Sequence, residues 1–357
     1  MPQIAIPFHF FRGGTSRGPF FRREDLPESE TQLSAILAKS LGCGQSLNID
    51  GIGGGNPVTT KVAMLSASTE ANVDVDYLFA QVHDMDGSVD YKPTCGNMLV
   101  GVGPAAIEMG LVKAADPVTK LTIRAVNTGA VIDVTLQTPD GKVEYSGSQS
   151  IDGVPGTAAP VALDFRNISG AATGKMLPTG NVIDVIDGIA VTCIDVTMPM
   201  VIASADSFGL SGYESQQELD DNREFFDRME PVRLKAAQLM GMGDCSKSVT
   251  PKFGLVAKPR AGGSLNVRYF MPWRSHPTLA VTGAQCLSAC ALHPGSVASD
   301  FVVGINGSPA TLELEHAVGS MKVRVNYSVD EDGLHIESAG VTRTARLLAR
   351  GEVFVAN

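Results

Sequence analysis

The chain has 357 residues, 44% of them hydrophobic, enough to bury a sizeable core as one large domain or two of ordinary size. Its formal net charge is −10, with lysine and arginine scattered rather than clustered, which argues against a nucleic-acid partner but leaves room for a small anionic ligand held by a few local groups. The six cysteines form no CxxC pair and no run approaches the ~18 apolar residues of a membrane span, so the expectation is a soluble cytoplasmic protein with reduced thiols, no signal peptide and no membrane partner.

In chain order, IAIPFHFFRGGTSRGPFFRREDLP reads as a strand, a glycine-rich turn at Gly13 to Gly18, and a second strand closed by Pro27. Leu33, Ile36, Leu37 and Leu41 fall at helical spacing and predict a surface helix over Glu28 to Leu41. The turn IDGIGGGNP follows, then the apolar run VAMLSAS and the alternating strand VDVDYLFAQVHD. GNMLVGVGPAAIEMGLV, from Gly96 to Val112, is apolar on nearly every face apart from Glu108, which predicts a buried helix entered through PTCGN. After further strand-like segments a Pro/Gly-spotted region near Pro178 to Asn181 suggests a lobe boundary, placed at about residue 185. The second half repeats the plan: strands, a charged helix over Glu214 to Met240, more strands, and a small-residue turn leading into an apolar helix over Ala284 to Leu292. The fold class is α+β, with two lobes each wrapping a sheet around one central helix.

Two buried helices place free N–H groups and partial positive charge at their entrances. If both entrances face one cleft between the lobes, that cleft is an anion site. The residues there are Cys95, Gly96, Asn97 and Met98 in the first half and Thr282, Gly283 and Ala284 in the second. A thiol just before a helix N-terminus is favoured as thiolate, which sets Cys95 apart from the other five, although a small buried cysteine is the ordinary alternative. Lys61 directly precedes an apolar run; burial at that strand edge would tune it for proton transfer, whereas a surface lysine at a strand end is the plainer reading. Arg12, Thr15, Ser16 and Arg17 on the hairpin tip suit planar oxyanions, or form a solvated turn. Ser275 and His276 lie in the turn region before Thr282. GIGGGNPVTTK lacks P-loop spacing, and neither zinc-ligand nor dinucleotide-binding patterns occur, so the expected chemistry needs no metal and no cofactor.

RGGTSRG (Arg12 to Gly18), DGIGGGNPVTTKVAM (Asp50 to Met64), DVDYLFAQV, TCGNMLVGVGPAAIEMGLV, LPTGN and HPTLAVTGA, in that order, resemble the PrpF family over essentially the whole chain. The resemblance implies the fold of diaminopimelate epimerase: an N-terminal lobe over 1–185, completed by about 342–357, a C-terminal lobe over 186–341, and an active site in the cleft between them. Family members include isomerases of 2-methylaconitate, methylitaconate and aconitate, and 4-oxalomesaconate tautomerase; NPVTTKVAM, VDYLFAQV and VTRTARLL look most like the tautomerase branch, linked to aromatic-acid catabolism.

Diaminopimelate epimerase opposes two cysteines at two helix entrances. The first matches Cys95; the second falls on Ala280, so the two-thiol mechanism is ruled out, and the resemblance instead pairs Cys95 with Lys61 as the catalytic groups. It implies substrate contacts at Arg12, Thr15, Ser16, Arg17, Gly54, Gly55, Asn56, Gly96, Asn97, Met98, Ser275, His276, Thr282, Gly283 and Ala284. Arg17 replaces a lysine common among relatives, and Ser275-His276 departs from Cys-His or Lys-Leu-His. The expected activity is a cofactor-independent 1,3-allylic shift, or a keto-enol or cis-trans isomerisation, of a small unsaturated di- or tricarboxylate, best matched by 4-oxalomesaconate. The alternatives are an aconitate, 2-methylaconitate or methylitaconate isomerase, or a non-catalytic accessory protein binding such acids or a dehydratase. A homodimer is compatible with this fold.

Overall fold

The computed structural model describes residues 3–45, 47–92, 94–276, 278–331 and 333–356; Pro93 of PTCGN and Pro277 of HPTLAVTGA lie outside them. Eighteen strands and six α-helices are described, and they divide between two compact units, 1–165 with 342–357, and 166–341.

In the first unit the elements are β1 (Gln3–Gly13), β2 (Ser16–Arg22), α1 (Glu30–Leu41), β3 (Lys61–Ala67), β4 (Val75–Val82), β5 (Val89–Asp90), α2 (Gly96–Val100), α3 (Val102–Glu108), β6 (Val118–Ala125), β7 (Ala130–Gln137), β8 (Gln149–Ile151), β9 (Val154–Ala158) and β10 (Pro160–Arg166). The sheet order β1-β2-β3-β4-β6-β7-β10 mixes parallel and antiparallel pairs, and residues 345–356 of the final strand lie antiparallel to β1. Alternation decides which face each side chain serves. Phe21, Val62, Met64, Ala80 and Val82 join Leu33, Leu37 and Leu41 of α1 in one apolar cluster. Phe11, Phe20, Tyr77 and Phe79 belong to the other face, and α2 packs on β1, β2 and β3 there.

The buried helix predicted over 96–112 is shorter and interrupted. Pro104 offers no N–H to the Val100 carbonyl, and Gly101 donates back to Met98 in a tighter turn (2.9 Å) before α3 continues to Glu108.

The second unit holds β11 (Asp184–Ile186), β12 (Ile189–Val196), β13 (Met198–Ser204), α4 (Gln216–Asp220), α5 (Arg223–Leu239), β14 (Lys252–Ala257), β15 (Leu265–Phe270), α6 (Val281–Leu292), β16 (Ala310–His316) and β17 (Gly319–Asp330). The final strand, β18 (Gly333–Ala356), contributes residues 333–341, paired with β17. The sheet runs in order β11 to β17 and packs on α6, whose residues 283–291 are all buried. The single helix predicted over 214–240 is two helices, because Asn222 caps a new start by accepting the Phe225 N–H at 3.0 Å. α6 begins three residues earlier than predicted, capped at Ala280.

The unit boundary falls at 165/166 rather than 185. The segment after Arg166 docks on β12: Asp195 exchanges backbone hydrogen bonds with Gly170 and Met176, and its carboxylate accepts the N–H groups of Ala172 (2.8 Å) and Thr173 (2.7 Å).

Candidate active site

Lys61 opens β3 and pairs across the sheet with Gln81 of β4, so both side chains share one face. The half-buried Lys61 Nζ donates to Gln81 Oε1 at 2.6 Å and lies 5.3 Å from the centroid of the Phe79 ring. Gln81 is itself held: its Nε2 donates to the Thr60 carbonyl (3.1 Å), the Thr60 hydroxyl (3.2 Å) and the Pro57 carbonyl (3.3 Å). With the Val82 carbonyl (3.3 Å), four acceptors surround the nitrogen side and leave the amide oxygen for the lysine.

Two pleats along the same face of β4, the Tyr77 hydroxyl donates to the Cys95 carbonyl at 3.3 Å. Tyr77 is fully buried, and burial, reinforced by the neighbouring Cys95, pushes its phenol well above the ordinary range, so it stays a neutral donor. Cys95 has extended backbone angles, caps α2, and is half-buried, whereas the other five cysteines are buried. Burial pushes the Cys43 thiol up to about 11 and Cys290 up to about 12, and raises Cys193 and Cys286 as well. Those four thiols are inert at neutral pH.

The hairpin of β1 and β2 is pressed against both groups, and its glycines are what allow this. A Cβ on Gly13 would lie 2.3 Å from the Asn97 carbonyl oxygen, and one on Gly18 would lie 1.9 Å from the Lys61 carbonyl oxygen. Asn97 Nδ2 donates to the Thr15 hydroxyl at 3.0 Å, and the Thr15 N–H donates back to Asn97 Oδ1 at 3.4 Å. The Ser16 hydroxyl is buried and has no partner among the described residues. Lys61, Cys95, Gly96, Asn97, Met98, Thr15 and Ser16 are thus gathered around one face of this sheet.

Arg12 and Arg17 are not part of that group. They pair with each other across the hairpin, one residue out of phase with Phe11 and Gly18, so their side chains belong to the opposite face. Arg12 Nη1 donates to the carbonyls of Gly14 and Thr344, each at 2.9 Å, and the Arg17 guanidinium lies 5.8 Å from the Phe10 ring centroid. Gly54, Gly55 and Asn56 form the exposed loop leading to Lys61, closed by Thr59 N–H donating to the Asn56 carbonyl at 2.7 Å and tied to the hairpin by Arg17 N–H donating to the Val58 carbonyl at 3.0 Å.

In the second unit, Ser275 N–H donates to Asp220 Oδ1 at 2.6 Å, while the buried Ser275 hydroxyl has no partner among the described residues. His276 Nδ1 accepts the Thr278 N–H at 3.0 Å, which leaves the proton of the neutral ring on Nε2. Burial lowers the pKa of this imidazole, favouring the neutral form. Thr282 and Gly283 sit in the first turn of α6; the Thr282 carbonyl accepts from the Thr197 hydroxyl at 2.9 Å, and Gly283 packs so closely on Tyr269 that a Cβ would lie 2.5 Å from its ring. Ala284 is buried. Ala280 caps α6 and offers no nucleophile.

Gln81, Tyr77 and Phe79 escape a reading of the sequence alone. VDYLFAQV shows by alternation that 77, 79 and 81 share a face, but which residue faces Lys61 depends on a strand register that only the folded sheet reveals. Among the described residues no group of three or more His, Cys, Asp or Glu is placed to hold a metal ion, and no helix is long and apolar enough to cross a membrane.

A family model described as PrpF protein matches residues 3–356. The chain belongs to the PrpF family. It is 49% identical over 351 residues to "Putative isomerase YbhH" of Escherichia coli (strain K12), covering 98% of this chain and 99% of that protein. It is 44% identical over 351 residues to the (4E)-oxalomesaconate Delta-isomerase of Novosphingobium sp. (strain KA1), with 98% of each chain covered. The crystal structure of methylitaconate-delta-isomerase superposes with a TM-score of 0.91 at 34% identity, covering 99% of this chain and 96% of that one. A hydroxyproline epimerase from Agrobacterium vitis superposes with a TM-score of 0.52 at 10% identity, covering 99% and 93%, and shows the epimerase-type fold alone. This PrpF protein is an isomerase.

Proposed function

We propose that this PrpF protein moves a proton within a small unsaturated di- or tricarboxylate, with 4-oxalomesaconate as substrate and Lys61 and Cys95 as its acid-base pair. The observation that carries this reading is the arrangement on β4: Gln81 fixes the Lys61 nitrogen while Tyr77, on the same face, fixes the Cys95 backbone. An amine at Lys61 that donates one N–H to Gln81 keeps its lone pair free for a carbon acid. Lys61 removes a proton from the carbon next to a carboxylate or enone, and the electron pair spreads into a dienolate. The unpartnered Ser16 hydroxyl and the free N–H groups at the start of α2 are suited to that charge. Return of the proton to a different carbon, from Lys61 or Cys95, completes an allylic shift; return after bond rotation gives a cis-trans change. Substrate and product have the same oxidation state, so the step needs no redox partner.

The 44% identity to an oxalomesaconate isomerase supports the substrate assignment, while the 0.91 TM-score to methylitaconate-delta-isomerase keeps methylitaconate, with aconitate and 2-methylaconitate, as second choices with the same chemistry. Proton NMR of the protein with each of the four acids tests this: 4-oxalomesaconate should isomerise fastest, and turnover of another acid alone would reassign the substrate. No turnover of any of them would refute the reading.

A further inference from the structure

Arg17, Arg12 and Arg346 form a row across three adjacent strands: Arg17 pairs with Arg12 between β2 and β1, and Arg12 pairs with Arg346 between β1 and β18. Like charges placed directly opposite on one sheet face repel. None of the three is in an ion pair among the described residues, although the Arg17 guanidinium packs on the Phe10 ring. Arg12 spends one nitrogen on two carbonyls, and the side chains of Arg17 and Arg346 have neither a hydrogen bond nor an ion pair among the described residues. All three line an open-mouthed cavity of about 770 Å³ whose wall is completed by the segment carrying β8 and β9, with hydroxyls from Ser146 and Thr157 and no acidic residue in that wall. In a chain of net charge −10, a lining with three cations and no anion is a local reversal of sign. The volume falls within the range of small-molecule sites, roughly 300–1,000 Å³. Neighbouring strands lie about 4.8 Å apart, so the row spans about 10 Å, the reach of a molecule with two or three anionic groups. Guanidinium groups bind carboxylate and phosphate alike.

We propose that this cavity is a second, non-catalytic site for a small polyanion, a polycarboxylate or a di- or triphosphate group. It occupies the face of the hairpin opposite the one that Gly13 and Gly18 press against Asn97 and Lys61, so an anion bound there braces the hairpin from behind. The inference does not depend on which substrate Lys61 and Cys95 turn over.

Isothermal titration of the full chain with sodium pyrophosphate, and separately with citrate, at matched ionic strength tests it. Binding should weaken at least tenfold in Arg346→Gln, less in Arg346→Lys, and persist in Lys61→Met; the anion that binds more tightly identifies phosphate or carboxylate as the ligand chemistry. Arg346 is exposed, so its replacement leaves the fold intact, which an unchanged thermal transition verifies. Absence of binding by either anion, or binding untouched in Arg346→Gln, would overturn the proposal.

Discussion

Replacing Gln81 with Met removes the acceptor from Lys61 while keeping nearly the same side-chain volume. The lost contact is the 2.6 Å bond from Lys61 Nζ, which becomes cationic as it takes the proton, and a hydrogen bond to a charged group contributes about 1.5–3 kcal/mol. If that contact is what holds the amine at the reacting carbon, the loss converts, at about 1.36 kcal/mol per tenfold, to a fall in kcat of roughly ten- to 150-fold. KM should change less, because Gln81 orients the base rather than binding the acid. The three bonds from Gln81 Nε2 to Thr60 and Pro57 also disappear, so thermal stability should drop by about 1–2 kcal/mol. Gln81→Glu keeps an acceptor at the same place but adds a negative charge that favours the protonated amine, so it should retain most of the rate at high pH while moving the acidic limb of the kcat profile to higher pH. The assay is isomerisation followed by proton NMR over a pH series, with thermal melts as a control for folding. A Gln81→Met protein that melts normally and keeps kcat within twofold would refute the positioning role.

Gly18→Ala should unfold at a lower temperature and lose at least tenfold in turnover, since the added methyl, 1.9 Å from the Lys61 carbonyl oxygen, must push that strand aside at a typical overpacking cost of about 1–3 kcal/mol; a melt and a rate measurement check both. A thiol-reactive disulfide reagent should label one cysteine quickly in the native protein, Cys95, and the other five only after unfolding, with the fast phase absent in Cys95→Ser. His276 and His9 both have lowered pKa values in the fold, chiefly through burial, so the folded state binds fewer protons than the unfolded one as pH falls. Their contribution to stability is present above the ordinary histidine value of about 6.5 and is lost as pH drops through the lowered values. The urea midpoint should therefore fall between pH 7.5 and 5.5, and His276→Gln should flatten that dependence.

Local pattern carried much of the fold. Leu33, Leu37 and Leu41 at helical spacing marked α1, and residues that are small or apolar on most faces marked α6 as buried, because both signals lie within one element. Cys95 was legible for the same reason, as the residue before a buried helix. The misreadings involve partners far apart in sequence. Asp195 captures the segment after Arg166 and so sets the unit boundary, yet nothing local in LPTGN shows which strand will hold it. Pro104 and Gly101 did carry a break in the helix, outweighed by the apolar run around them. Gln81 meets Lys61, and Arg346 meets Arg12, through strand registers that alternation does not specify. Arg12 and Arg17 were grouped with Thr15 and Ser16 by adjacency in the turn, whereas the pleat divides neighbours between faces.

The central claim, that Lys61 and Cys95 transfer the proton, is tested most directly by turnover of 4-oxalomesaconate in D2O with wild-type protein, Lys61→Met and Cys95→Ser. General acid-base groups contribute about 10²–10⁴-fold, so Lys61→Met should lose at least a hundredfold in both isomerisation and deuterium incorporation while binding the acid with little change. Cys95→Ser should also slow turnover, and the position of any residual deuterium separates proton removal from proton return. Isomerisation by Lys61→Met at the wild-type rate would contradict the account.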